Sequence, residues 1–301
     1  MLHHFTEDVL MLWRSKSAVV CGKHQNLCAE MNFGFCKENG IQPARRLSGG
    51  GTVYHDLGNI NFTFIHHLPE GLDKAINFRR FLDPVRTALL SIGVNAEYSQ
   101  RNDLLLNGKK ISGNAEHVFQ KKKRVLHHGT LLFDSDLSSL KQALHAEGVY
   151  TDKAVKSVRS EVVNIKTVLP NLTSKDFLDK LCQYWDTDQH TIRYVFCGKD
   201  VERIENLRDS KFSKIDWVVH YSPKYEVVKK VELQNSTLLL KGNIANGMVE
   251  QLVLEDVNDG PYYPELCSKF IGLKLDESLS LLFAKELSNL INIEINPFIL
   301  F

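Results

Sequence analysis

The sequence lacks an excess of charge of either sign. Its 301 residues include 37 lysines and arginines against 36 aspartates and glutamates, which gives a formal net charge of +1 at pH 7. A strongly basic chain would favour nucleic acids or anionic membranes as partners. The balanced charge gives no general reason to expect either, so we predict that the protein binds neither nucleic acids nor membranes.

Metal-type cysteine spacing and long apolar runs are also missing. No two cysteines form a C-x-x-C pair, so the sequence offers no zinc site or dithiol redox motif. The first residues lack the pattern of a signal peptide, and no apolar run approaches the roughly 20 residues of a membrane helix. Scattered thiols in a chain of this length are typical of a reducing compartment, so we predict a cytoplasmic protein. The cysteines are Cys21, Cys28, Cys36, Cys182, Cys197 and Cys267.

The length and the order of patterns favour two domains. Apolar periodicity predicts a helix over 74–92, although Pro84 interrupts the pattern. From residue 215 the chain becomes strand-like, and a helical pattern follows over 263–291. We therefore predict a boundary near residue 221, with a larger domain over 1–221 and a smaller one over 222–301.

A glycine-rich loop lies between two arginines and a strand-like segment. The run over 45–59 reads RRLSGGGTVYHDLGN, with Ser48 before three consecutive glycines. Such a backbone turns tightly, and its amide N–H groups can point at an anion. Arg46 could add a bidentate contact to a phosphate or carboxylate. The loop lacks the Walker lysine and the Rossmann spacing, and a plain flexible loop is the alternative interpretation.

Residues 101–115, RNDLLLNGKKISGNA, predict a hairpin around Asn107-Gly108. Because side chains alternate between faces, Lys110 should share a face with Asp103, whereas Lys109 should border the turn in solvent. The small residue Gly113 leaves room for a ligand beside Lys110. An ordinary surface lysine is the alternative. The expected cross-strand pairs are Leu106 with Lys109, Leu105 with Lys110, Leu104 with Ile111, and Asp103 with Ser112.

A second hairpin is predicted over 115–133. Its tip carries Lys121, Lys122, Lys123 and Arg124, which form either a solvated turn or a docking patch for an acidic partner. After the tip comes HHGTLLF over 127–133, where Gly129 would allow a ligand to approach the backbone closely.

Taken together, these segments resemble lipoate–protein ligase A, of the biotin/lipoate protein ligase superfamily. They occur in the order of that family over about the first two-thirds of the chain, and the ordered set is far more specific than any one segment. The matching segments are LWR at 12–14, GKHQN at 22–26, RRLSGGGTVYHDLGNINFTF at 45–64, RNDLLLNGKKISGNA at 101–115, HHGTLL at 127–132 and KSVRSEVVNI at 156–165.

The resemblance implies an α+β fold like that of biotin ligases and class II synthetases. A mixed, largely antiparallel sheet would be surrounded by helices, with a small C-terminal α/β accessory domain. It implies that lipoate and Mg-ATP form lipoyl-adenylate, and that the lipoyl group then passes to a lysine of an acceptor. The implied acceptors are the lipoyl domains of 2-oxoacid dehydrogenase acyltransferase subunits and the glycine-cleavage H protein.

The resemblance also implies roles for individual residues. Arg46 and the stretch Gly51, Thr52, Val53 and Tyr54 match ATP-binding positions, and Lys110 matches the lysine that contacts both ATP and lipoate. Lipoate is expected to contact Lys110, Ser48, Gly50, His55 and Gly129. Asp103 is the candidate for a contact with Mg²⁺ bound to ATP. Relative to the family, the chain starts late, and we expect that a strand and part of a helix are missing before residue 13.

Two other functions remain open at this point. A lipoyl or octanoyl transferase of the same superfamily would use a cysteine thiolate after the GTLL segment. Residues 129–181 contain no cysteine, which favours the ligase, so a transferase would have to act without one. An inactive lipoate-binding homologue is the third possibility.

Overall fold

The computed structural model describes residues 5–68, 77–187, 191–233, 236–257 and 260–301. Within these ranges the helices are α1 (Phe33–Glu38), α2 (Phe78–Ser91), α3 (Leu137–Ala143), α4 (Ser174–Asp186), α5 (Gly198–Leu207), α6 (Ile215–Val218), α7 (Pro264–Ser268) and α8 (Glu277–Ile291). The strands are β1 (Val9–Trp13), β2 (Ala18–Cys21), β3 (Gln42–Arg45), β4 (Val53–His55), β5 (Asn59–His67), β6 (Glu97–Tyr98), β7 (Leu104–Leu106), β8 (Lys109–Ser112), β9 (Asn114–Phe119), β10 (Arg124–Leu132), β11 (Val149–Asp152), β12 (Tyr225–Glu232), β13 (Thr237–Ala245), β14 (Met248–Asp256) and β15 (Gly260–Pro261).

The chain forms two compact units, and each unit gathers separate stretches of sequence. The first contains the described residues of Met1–Ala18, Arg46–Leu140 and Val158–Cys197. The second contains Val19–Arg45, Lys141–Ser157 and the described residues of Gly198–Phe301. The assignment of separate roles to residues 1–221 and 222–301 stays a prediction.

The first unit is built on an antiparallel sheet of order β1-β5-β10-β9. Residues of β5 alternate between its two faces, because successive side chains of a strand point in opposite directions. Ile60, Phe62 and Phe64 enter a hydrophobic core with residues of α2 and α4. Asn61 and Thr63 lie on the opposite face of the same strand, and we call that side of the sheet the polar face.

Helix α2 closes one side of this core. Asn77 caps its N-terminus by accepting a hydrogen bond from the backbone of Arg80, and the helix continues through Pro84. The predicted apolar stripe is correct in position, since Phe81, Leu82, Val85 and Leu89 are buried while Phe78 and Ile92 are partly buried. Residues 74–76 of the predicted helix lie outside the described residues.

The second unit contains an antiparallel sheet of order β11-β12-β13-β14-β15. Strand β13 alternates regularly between buried and partly buried side chains. The helical pattern predicted over 263–291 corresponds to α7 and α8. In the part of the chain that is described, no helix combines the length and the hydropathy needed to cross a bilayer.

Candidate functional site

The lysine hairpin forms as the sequence predicts at its turn. Asn107 and Gly108 have φ of 51° and 77°, the left-handed pair that this two-residue turn requires. Leu106 pairs with Lys109 and Leu105 with Lys110, as expected. The predicted pairs Leu104 with Ile111 and Asp103 with Ser112 are wrong. A bulge at Ile111 shifts the register, so that Leu104 pairs with Ser112 instead. An inserted residue of this kind leaves no composition signal beyond ordinary strand residues.

The two adjacent lysines have different environments. The Lys110 amine lies 3.1 Å from a carboxylate oxygen of Asp103, and its side chain is 25% exposed. The Lys109 amine lies 2.6 Å from a carboxylate oxygen of Glu161, and its side chain is 48% exposed. The structure therefore places Lys110 beside Asp103, as predicted, and Lys109 at the surface.

Two hydrogen bonds to a segment distant in sequence hold the backbone of Lys110 in place. Its N–H donates to the carbonyl of Glu161 at 2.8 Å, and its carbonyl accepts from the N–H of Val163 at 3.1 Å. These bonds hold the lysine against the second half of KSVRSEVVNI, a segment that is unremarkable when considered alone. Such pinning orients an amine before a substrate arrives.

Gly113 makes room for the Lys110 side chain. A Cβ at this position would lie 3.1 Å from both Cε and Nζ of Lys110. The N–H of Gly113 donates to Oγ1 of Thr130 at 3.1 Å. Gly113, the residue that follows β8, therefore lies beside both the Lys110 amine and Thr130 at the edge of the polar face.

The glycine loop is closed by Arg46. Its guanidinium donates to the carbonyls of Gly49 and Gly51, both at 2.7 Å, and to Oγ of Ser48 at 3.1 Å. Gly50 has φ of 87°, and a Cβ there would lie 3.6 Å from Cβ of Ala115. The loop thus lies against β9 two residues from Gly113. Arg46 shapes the loop in this structure, and its contact with ATP stays a prediction.

Neutral histidines join this loop to the polar face. Nε2 of His128 lies 2.5 Å from Oγ of Ser48, and the His55 ring meets the Trp13 ring edge-on at 5.7 Å. Burial, reinforced by the positive charge of Arg46, lowers the pKa of His55 to about 4 and that of His128 to about 3. Both rings are therefore uncharged at pH 7 and add no cation to the site.

The remaining candidates are placed as follows. Thr52 and Tyr54 are buried and Gly51 and Val53 half-buried where the loop enters β4. A Cβ on Gly129 would lie 2.1 Å from Oδ1 of Asn114 and 2.4 Å from Cζ of Phe62. Those two side chains occupy the space that a Cβ would need, which accounts for a glycine at this position. The contacts of these residues with ATP or lipoate stay predictions.

Asp103 bears on the predicted magnesium contact. Its carboxylate pairs with Lys110, and the described residues contain no group of three or more His, Cys, Asp or Glu side chains that could hold a metal. Mg²⁺ is commonly held by one or two carboxylates together with substrate phosphates and water. A single carboxylate beside the lysine fits that mode, and the role of Asp103 stays a prediction.

Sequence reasoning overlooked several residues of the polar face. Trp13 on β1 donates through its indole N–H to Oγ1 of Thr63 at 3.2 Å. Asn61 pairs in register with both Trp13 and Thr130. The alternation of polar and apolar residues in GNINFTF was visible, but it did not show which side of the sheet the glycine loop would cover.

The protein-family comparison agrees with this geometry. A family model described as the lipoyl protein ligase A/B catalytic domain matches residues 1–186. The chain therefore belongs to this family.

Relatives within the family extend over most of the chain. A lipoate-protein ligase of Bacillus subtilis, LplJ, is 36% identical over 249 residues, 81% of this chain and 74% of the relative. A lipoate-protein ligase of Staphylococcus aureus is 33% identical over 246 residues, again 81% and 74%. A Mycoplasma pneumoniae protein named as a probable lipoate-protein ligase A is 32% identical over 295 residues, 94% and 83%. The predicted family and enzyme class are confirmed.

Solved structures of similar proteins support the fold. A crystal structure of lipoate-protein ligase A bound with ATP is 25% identical, with a TM-score of 0.58, and the match covers 71% of this chain and 86% of that one. A Thermoplasma acidophilum lipoate protein ligase with bound lipoic acid is also 25% identical, with a TM-score of 0.59 and the same coverage. The predicted synthetase-like α+β class is confirmed.

Proposed function

We propose that this lipoyl protein ligase family member activates lipoate with ATP and transfers the lipoyl group to a lysine of an acceptor protein. One observation carries the proposal. A Cβ on Gly50 of the glycine loop would lie 3.6 Å from Cβ of Ala115, and a Cβ on Gly113 would lie 3.1 Å from the Lys110 amine, so the loop and the amine lie beside positions two residues apart. Backbone N–H groups and a fixed ammonium group are thereby brought to one place, as adenylate formation requires. Relatives bound with ATP and with lipoic acid support this assignment.

In the first step, a carboxylate oxygen of lipoate attacks the α-phosphorus of ATP. The bond from that phosphorus to the bridging oxygen breaks, and pyrophosphate leaves. Negative charge grows on the non-bridging oxygens, where Lys110 and the loop amides stabilise it without reorganising. Asp103, together with the ATP phosphates, would hold Mg²⁺, which would supply further neutralisation of phosphate charge.

In the second step, the ε-amine of the acceptor lysine attacks the carbonyl carbon of the mixed anhydride. The bond from that carbon to the phosphate oxygen breaks, AMP leaves, and the new amide loses a proton. Lys110 holds the activated carbonyl in place. No protein nucleophile is required, and two of the buried cysteines are poorly suited to act as one. Burial raises the pKa of Cys28 to about 11 and that of Cys36 to about 12, which disfavours the thiolate.

We propose as acceptors the lipoyl domains of 2-oxoacid dehydrogenase acyltransferase subunits and the glycine-cleavage H protein.

Free thiols at every cysteine of the chain support a reducing, cytoplasmic location.

Incubation with lipoate, ATP, Mg²⁺ and a purified lipoyl domain tests this function. We expect the domain to gain the mass of one lipoyl group on its acceptor lysine, with one pyrophosphate released for each transfer. A domain whose acceptor lysine is replaced by arginine is the matched control and should gain nothing. Equal transfer from a lipoyl thioester in the absence of ATP would contradict the proposal.

A further inference from the structure

A row of side chains crosses the polar face from the lysine site to β1. Lys110 lies against Gly113, whose N–H is bonded to Thr130. Thr130 is the cross-strand partner of Asn61, and Asn61 is the partner of Trp13. Cross-strand partners point to the same side of a sheet. Asn61 therefore lies on the side where Ser48 contacts His128 and His55 contacts Trp13.

Two buried amides in this row are incompletely paired. Asn59 is 0% exposed and Asn61 is 2% exposed. Nδ2 of Asn59 donates to Oδ1 of Asn61 at 3.0 Å, while Oδ1 of Asn59 and Nδ2 of Asn61 have no partner among the described residues. Rotating either amide does not remove the deficit, because one bond between two amides always leaves a donor and an acceptor. Buried polar groups normally find partners, so this pair requires an explanation.

The distance from Lys110 indicates which part of a substrate reaches Asn61. Neighbouring strands are about 4.8 Å apart, so Asn61 on β5 lies roughly 10 Å from the edge where Lys110 meets Gly113. That span is comparable with the length of lipoate from its carboxyl oxygens to the sulfurs of its dithiolane ring. With the carboxyl group at Lys110, the ring sulfurs come to Asn61, and Trp13 lies beyond them.

We propose that the buried Asn59–Asn61 amide pair makes Asn61 a specificity residue, which selects lipoate over the saturated acid of similar length, octanoate. This inference rests on the proposed function. Sulfur is a weak hydrogen-bond acceptor, so a dithiolane ring offers the orphan amide a partner. The terminal methylenes of octanoate offer none, and they would leave the amide unpaired and out of water. A site with buried polar groups rejects an analogue that cannot pair with them.

The ratio of kcat/KM for lipoate to that for octanoate, measured by pyrophosphate release, tests this inference. We expect the wild-type enzyme to prefer lipoate by about tenfold or more. Asn61→Leu keeps nearly the same shape but removes the amide, and it should bring the ratio to within about threefold, with the KM for ATP unchanged. Asn61→Thr restores a hydroxyl donor on a strand-compatible side chain and should recover most of the preference.

Three other results would have different consequences for the inference and for the proposed function. A wild-type ratio retained by Asn61→Leu would overturn the inference, and so would an equal loss of activity toward both acids, which would mark Asn61 as structural only. Wild-type enzyme that releases no pyrophosphate with either acid would overturn the proposed function itself. Thermal unfolding of each variant separates a folding defect from a change in selectivity.

Discussion

Replacement of Lys110 by alanine is expected to lower the rate of lipoate-dependent pyrophosphate release by about 10²–10³-fold. Removing one preorganised charge-stabilising group typically costs about 2.7–4 kcal/mol of transition-state stabilisation. The Lys110 amine is suited to that role because its backbone is bonded to Glu161 and Val163 and its amine lies beside Asp103. Release of pyrophosphate in the first turnover, measured with saturating ATP and lipoate, reports this step directly.

Lys109→Ala is the matched control for this prediction. Lys109 has the same charge, is adjacent in sequence and forms an exposed pair with Glu161. Exposed pairs contribute little, so we expect pyrophosphate release to stay within about twofold of wild type. Comparable losses in both variants would show that the hairpin is important only as a folded element, and would remove the reason for assigning adenylation to Lys110.

Gly58→Ala is expected to destabilise the first unit severely. A Cβ at this position would lie 2.0 Å from the carbonyl oxygen of Asp134 and 2.6 Å from the backbone nitrogen of Ser135. The contacts are with backbone, so no side chain can rotate away, and overpacking of this kind costs about 3 kcal/mol or more. The carbonyl of Gly58 also accepts from Phe133 and Asp134 at 3.1 and 2.9 Å. Urea unfolding should show a much lower free energy of unfolding, or no folded protein.

Gly49→Ala is the corresponding control. A Cβ there would meet nothing within 4 Å. Its free energy of unfolding should therefore stay close to that of wild type, or rise slightly because alanine restricts the unfolded chain. Unfolding of Gly58→Ala at the same urea concentration as wild type would contradict the close packing of residue 58 against Asp134 and Ser135.

Most of the correct predictions came from short patterns, which depend only on residues close together in the sequence. Asn107-Gly108 defines its own turn, since few other dipeptides adopt two left-handed conformations. That turn fixed the separate environments of Lys109 and Lys110. Periodicity likewise located α2 and its buried apolar stripe, since these depend on spacing along the chain.

Features that depend on distant residues escaped sequence reasoning. Ser48 meets His128 across 80 positions of sequence, and the bulge at Ile111 has no residue signature of its own. Sequence reasoning did not foresee that Arg46 donates to the carbonyls of its own loop, and its contact with ATP stays a prediction. Asn61 was overlooked because an asparagine in a strand is ordinary until its missing partner is known. These are properties of tertiary packing, which no short segment of sequence encodes by itself.

Intact-protein mass spectrometry after a single turnover without acceptor tests the central claim most directly. Enzyme mixed with lipoate and ATP should release pyrophosphate and retain lipoyl-adenylate, which denaturation frees while the protein keeps its original mass. A lipoyl group covalently attached to a cysteine, with no adenylate in the released fraction, would contradict adenylation at the glycine loop and Lys110.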